Sequence, residues 1–180
     1  PWGLTLRLRK IANCPVTRSR TNLSPTGRDI RVLARFGFEI SDIAPEWPVH
    51  GRECIREPLS LPYQRQASGG EPPQNAYIVC YRSHWADFLI EGIQQAKQEF
   101  GFDGVYLDGT AHPHDCANRN HGCGYVDATG RLKPSYPIFA VRDVMKRIYA
   151  LFPPDQGGII VVHNSGGVPL PTISSATSIY

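Results

Sequence analysis

Gly101-Phe102-Asp103-Gly104-Val105-Tyr106-Leu107-Asp108-Gly109 is the stretch on which the fold turns. Gly104 to Leu107 has the apolar, glycine-bounded make-up of a short buried strand. That strand delivers a carboxylate, Asp108, at its C-terminal tip. Upstream, Trp85, Phe88, Leu89, Ile93, Ala96 and Phe100 recur at helical spacing. Ser83 supplies an N-cap for this helix, Asp87 an acid for its first turns, and Gly101 its stop. Downstream comes a long polar loop. Helix, short strand, acid and long loop is the order in which βα-barrel enzymes present catalytic groups.

The same grammar extends outward. Ile30-Arg31-Val32-Leu33-Ala34-Arg35-Phe36, continued by Phe38, reads as a strand with Glu39 at its tip. Residues 41–75 hold Pro45, Pro48, Pro58, Pro62, Pro72 and Pro73 and read as a long loop with a task of its own. Tyr77-Ile78-Val79-Cys80-Tyr81 is the next strand. Tyr136-Pro137 opens a helix whose apolar stripe is Ile138, Val141, Met145, Ile148 and Tyr149, stopped by Pro153-Pro154. Ile159-Ile160-Val161-Val162 has the composition of a strand covered on both faces, and a last strand begins near Thr177. Strands alternating with helices imply a parallel sheet. Long loops after strands, with short helix-to-strand links, favour a partial (β/α)8 TIM-type barrel. A doubly wound nucleotide binder is the other arrangement open to these elements, although no Gly-x-Gly-x-x-Gly follows a strand and no Walker lysine occurs.

Charge divides the chain in two. Residues 1–35 carry eight Lys or Arg against the single acid Asp29, whereas the remainder holds 11 basic and 15 acidic residues. Such a run suits a nucleic-acid surface, a targeting peptide or a solvated, poorly ordered segment; no aromatic residue interleaves with these arginines to stack on bases, and the last reading is preferred. No apolar run is long enough to span a bilayer. Residues 1–27 show no clear period and stay unassigned; residues 28–180 form the barrel portion. The chain begins with Pro1 and ends in a strand-like Ala176-Thr177-Ser178-Ile179-Tyr180, which is the expectation for a fragment of a longer protein.

Glycoside cleavage needs one carboxylate to stabilise an oxocarbenium-like centre and an acid to protonate the leaving oxygen. Asp108 is the first candidate for either role; its alternative is to cap the following loop. Glu39 is the candidate second carboxylate, with Asp42 and Glu46 behind it. Trp47 offers an indole to stack on a sugar face, or else anchors its loop. His163-Asn164 at the tip of the 159–162 strand suits substrate orientation. The densest polar cluster is His112-Pro113-His114-Asp115-Cys116-Ala117-Asn118-Arg119-Asn120-His121-Gly122-Cys123. It admits three readings: zinc ligation, a Cys116–Cys123 disulfide, or a substrate loop. The spacing matches no zinc signature, so the preferred reading assigns no metal. It has the cysteines stapling or packing a loop whose His112, His114, Asn118 and His121 face substrate. No cofactor is expected.

Phe100 to Gly109, followed by Cys116, Asn118 and His121-Gly122-Cys123-Gly124-Tyr125, resembles bacterial proteins related to glycoside hydrolase family 123. So do Tyr136-Pro137-Ile138-Phe139-Ala140-Val141-Arg142 and His163-Asn164-Ser165. The resemblance runs from about Arg28 to Tyr180. It implies a (β/α)8 barrel, a carbohydrate substrate, further domains in the same chain, and an exported, extracytoplasmic protein. It also implies a hexosaminidase-like route through an adjacent Asp-Glu pair. This chain departs there: Gly109 follows Asp108, and no Asp-Glu or Glu-Asp pair occurs in the sequence. A conventional two-carboxylate mechanism is equally open. A non-catalytic carbohydrate-binding barrel is the alternative, and a metal-dependent hydrolase built on the histidine and cysteine loop is a third reading.

Overall fold

The computed structural model describes residues 30–57 and 75–180. The basic segment 1–27, with Arg28 and Asp29, and residues 58–74 of the proline-rich loop lie outside the described residues.

The Gly104 segment is a strand. Together with three others it builds a parallel sheet: β1 (Leu33–Phe36), β4 (Gly104–Asp108), β7 (Ile159–His163) and β8 (Ser178–Ile179), hydrogen-bonded in the order β1-β4-β7-β8. Their order across the sheet follows their order in the chain, so the sheet has no reversal of winding and no switch-point crevice. Two long helices intervene, α2 (Trp85–Phe100) before β4 and α3 (Ile138–Leu151) before β7. The architecture is mixed α/β.

Alternation along the strands separates two faces. Val105 and Leu107 of β4 and Ile160 and Val162 of β7 are buried with Ile93 of α2 and Val141, Met145 and Ile148 of α3 in one core. Each such side chain contributes roughly 1.5–3 kcal/mol by leaving water. Arg35, Tyr106, Asp108, Val161 and His163 occupy the other face, none of them fully buried. The 159–162 run is therefore covered on one face only among the described residues, against the expectation of two. Gly104 fits where β4 meets β7 because a Cβ there would collide with the Ile159 carbonyl.

Three further departures have physical causes. First, the early loop contains helix α1 (Trp47–Cys54), with Pro48 in its first turn, where a missing N–H costs nothing. Second, the first strand stops at Phe36, and Glu39 opens a separate strand β2 (Glu39–Ser41) instead of ending β1. The segment starting at Tyr77 becomes β3 (Ala76–Ile78), antiparallel to β2 and outside the parallel sheet, with Ile40 and Val79 buried in the core. Third, a short helix α4 (Leu170–Ile173) follows β7, again with proline in its first turn. In α3, Val144 is buried in place of the expected Tyr149, which is exposed.

The loop after β4 is the longest structured connection. A small hairpin, β5 (Tyr125–Val126) with β6 (Leu132–Lys133), projects from it. Asp127 holds the turn by accepting from the Thr129 and Arg131 N–H groups.

Candidate active site

Parallel register places Asp108 directly beside His163 at the C-terminal ends of β4 and β7. Arg35 of β1, one step further across the sheet, donates to the Asp108 carboxylate and forms an ion pair with it. The His163 Nδ1 lies 3.5 Å from Asp108 Oδ1 and shares a hydrogen bond with the Tyr106 hydroxyl at 2.8 Å. Ser165 Oγ is 3.4 Å from the other ring nitrogen, and Tyr180 meets the imidazole edge to face at 5.2 Å. The result is a connected set of acid, imidazole, phenol and guanidinium on the face opposite the helices. The Asp108 side chain keeps 21% of its surface exposed, so a substrate hydroxyl can still reach its remaining lone pairs.

Gly109 lets the chain leave the strand at once. Its φ of +69° suits glycine, and a Cβ there would run into the Phe38 ring. Phe38 in turn stacks on His114 at 4.7 Å, and His114 meets His112 edge to face at the same distance. Burial, then the neighbouring His112 and Arg56 charges, lowers the His114 pKa to about 4. Arg56 forms an ion pair with Asp115. His112 also lies against Gly166 of the loop after β7. Both amide atoms of Asn164 are buried and without a hydrogen-bond partner, as is His114 Nε2. Buried polar atoms are rarely left so.

His112 and His114 thus belong to the loop that follows β4, His163 ends β7 itself, and Asn164 opens the loop beyond it. Glu39 lies in β2, immediately after the Phe38 that covers Gly109, and not at a parallel strand end. Trp47 departs from expectation. Tyr77 stacks on its indole at 4.5 Å and Gly51 of the same helix lies under the ring, so it packs α1 against β3. Asn118 is only 1% exposed. Its amide donates to the Ile55 carbonyl and accepts from the Asn120 N–H. It ties the loop to the end of α1 and presents nothing to a substrate.

His121 also lies elsewhere. Its ring belongs to a cluster with Cys80, Cys116 and Cys123, whose donor atoms all lie within 4.8 Å of one another. The three cysteines are buried and free, so no Cys116–Cys123 disulfide forms. Cys80 Sγ is 3.7 Å from Cys123 Sγ, and His121 Nδ1 is 3.4 Å from Cys123 Sγ. The hydrogen bond between Cys80 and Cys116 raises the pKa of the first and lowers that of the second, while burial raises Cys123. Cys80 is the residue that reading the loop alone overlooks. It stands 36 positions before Cys116, just beyond β3, and no local spacing announces it. Cys54, also buried and free, is not part of the cluster and donates to Glu53 instead.

No protein-family model matches this sequence, and no curated protein matches it. Among solved structures the chain is similar to the α-galactosidase of Thermus thermophilus in complex with stachyose. The TM-score is 0.48 at 14% identity, covering 84% of this chain and 28% of that one. It is also similar to a Paenibacillus sp. cycloisomaltooligosaccharide glucanotransferase complexed with cycloisomaltoheptaose. There the TM-score is 0.46 at 16% identity, over 77% of this chain and 19% of the other. The chain therefore spans less than a third of either protein's length.

Proposed function

We propose that this chain is part of a glycoside hydrolase acting on a polysaccharide or glycan, its four parallel strands being consecutive members of a (β/α)8 barrel. One observation carries the reading: Asp108 and His163 stand side by side at neighbouring strand ends, on the face the helices leave uncovered. Helices on one face and a monotonic strand order suit a barrel wall, and catalytic groups in barrels gather at the C-terminal ends of strands.

In this reading Asp108 stabilises positive charge at the anomeric carbon or attacks it, and Arg35 and Tyr106 hold the carboxylate and His163 in place. Glu39 is the proposed partner acid. His112 and His163 bind sugar hydroxyls; the amide of Asn164, buried and unpartnered, would join them only if the loop after β7 moves aside. Family 123 resemblance adds a hexosaminidase-like substrate as the finer possibility, without its adjacent acid pair.

The test is Asp108→Asn in the intact natural protein, assayed on a panel of aryl glycosides and glycans. Turnover should fall by about 10²–10⁴-fold, the span typical of a lost acid–base or carboxylate group. Near-normal turnover would remove Asp108 from the chemistry. Saturable glycan binding without turnover in the unsubstituted protein would show a binding barrel instead.

A further inference from the structure

We propose that Cys80, Cys116, His121 and Cys123 form a structural zinc site that fastens the loop after β4 to the segment just beyond β3. The inference goes beyond the hydrolase reading and does not depend on it.

Geometry comes first. Tetrahedral zinc with thiolates at about 2.3 Å and imidazole at about 2.0–2.1 Å sets its donors roughly 3.8 Å apart for sulfur pairs and about 3.6 Å for sulfur–nitrogen pairs. The Cys80–Cys123 separation of 3.7 Å and the His121–Cys123 separation of 3.4 Å lie at those edges, and all four donors fall within 4.8 Å of one another. Chemistry agrees. Soft thiolates with one imidazole select zinc over magnesium or calcium. Four protein donors leave no open position for water, so the site is of the structural and not the hydrolytic kind. This sets aside a metal-dependent hydrolase at this cluster.

The surroundings support a charged centre. Three cysteines alone would pack as small apolar side chains. An imidazole that turns its Nδ1 onto Cys123 Sγ is harder to explain as apolar packing, because a polar ring atom is then set among sulfurs. The Asn118 N–H points at Cys116 Sγ at 3.4 Å, an amide donor to a ligand sulfur. Arg82 lies against Gly122, between His121 and Cys123 in the chain. Three thiolates and a neutral imidazole around a divalent cation leave one negative charge, which that guanidinium offsets.

The placement has a consequence. Cys80 stands just beyond β3, while the other three donors sit in the loop that begins at Gly109. One ion would join segments 36 positions apart in the chain, and would set where the His112 and His114 end of the loop rests.

Elemental analysis of the reduced full chain, expressed with zinc and dialysed against metal-free buffer, should find about one zinc per chain. Titrating the metal-stripped chain with Co²⁺ should give the thiolate charge-transfer band and the intense visible bands of tetrahedral cobalt. Cys80→Ser should lower zinc affinity at least about tenfold, since even outer-shell changes cost that much. His121→Cys should keep the metal, with its cobalt bands shifted toward those of a four-thiolate site. His112→Ala should leave stoichiometry unchanged. A soluble wild-type chain with neither bound zinc nor a tetrahedral cobalt spectrum overturns the site without recourse to any variant. So does an unchanged zinc affinity in Cys80→Ser, measured by competition with a chelator of known affinity.

Discussion

The strand-end set and the cysteine cluster hang from the same loop, eight positions apart at Asp108 and Cys116, yet they are assembled by opposite means. Asp108, His163, Tyr106 and Arg35 are placed by sheet register. Backbone ladders fix where the strands end, and alternation fixes which side chains share a face. Their contacts are ion pairs and hydrogen bonds at a surface solvent can still enter. Cys80, Cys116, His121 and Cys123 have no shared ladder. An isolated bridge holds Cys116 to Ser135, a one-turn 3-10 helix carries His121, and Cys80 arrives from another part of the chain. Ladders position groups whether or not a ligand is present. A cluster gathered from loops needs an attraction of its own, and zinc supplies one.

That contrast is exposed most strongly by stability measurements. Stripping zinc with a chelator should lower the melting temperature by the largest amount of any change considered. Structural zinc in small domains carries about 10 kcal/mol or more of apparent binding free energy, part of which is folding free energy. Asp108→Asn should do the reverse: turnover collapses while the melting temperature hardly moves, because it removes one ion pair whose Arg35 partner is 61% exposed. If the chelator leaves melting unchanged, or Asp108→Asn melts the protein, the division between a positioned surface and a fastened loop fails.

Gly104→Ala strikes the register itself. The added methyl would meet the Ile159 carbonyl, so β4 and β7 must move apart at their start. A cost of about 1–3 kcal/mol is expected, read as a lowered urea midpoint at unchanged slope. Zinc content should stay the same, since no donor is touched. Loss of zinc in this variant would mean that the sheet also holds the cluster together.

Asn118→Ala probes the loop without removing a donor. The variant leaves the Ile55 carbonyl and the Asn120 N–H without their side-chain partner, at about 1–3 kcal/mol for buried groups. Zinc should still bind, more weakly, because Asn118 sets the turn between Cys116 and His121. A variant with unchanged stability would show that the metal alone orders this segment.

These differences also explain what the amino-acid order disclosed. The Gly104–Asp108 strand, the α2 and α3 stripes and the 159–163 strand were legible because each is local: a period or an apolar run sits beside its own stop signal. Asp108 and His163 were legible as strand-tip residues for the same reason. Helix α1 was hidden by reading Pro48 as a breaker, when proline at a first turn is a helix start. The antiparallel β2–β3 pair interrupts the expected βα alternation, and nothing at Glu39 or Tyr77 marks that change of partner. Trp47 and Asn118 carry side chains that suit sugar recognition or packing equally well, and only burial decides between them. The cysteine cluster was hidden most completely, because its fourth donor comes from outside the loop that holds the other three.

The least change is expected at a contact belonging to neither region. Arg147 of α3 donates to Asp87 of α2 at 2.7 Å, with 43% and 57% of the two side chains exposed. Such a pair gains little in water and is screened by salt. The helices are held by Leu89, Ile93, Val141 and Met145 in the shared core, and the ion pair sits outside it. A double-mutant cycle of Arg147→Ala and Asp87→Ala should therefore give a coupling of about 0–0.5 kcal/mol, vanishing at high salt, with zinc content and turnover unchanged. A coupling above about 1 kcal/mol would mean that the helix layer, and with it the sheet that aligns Asp108 with His163, leans on a surface charge. The precision of the strand-end set would then be salt-dependent, while the cysteine cluster, buried and closed, would stay indifferent to ionic strength.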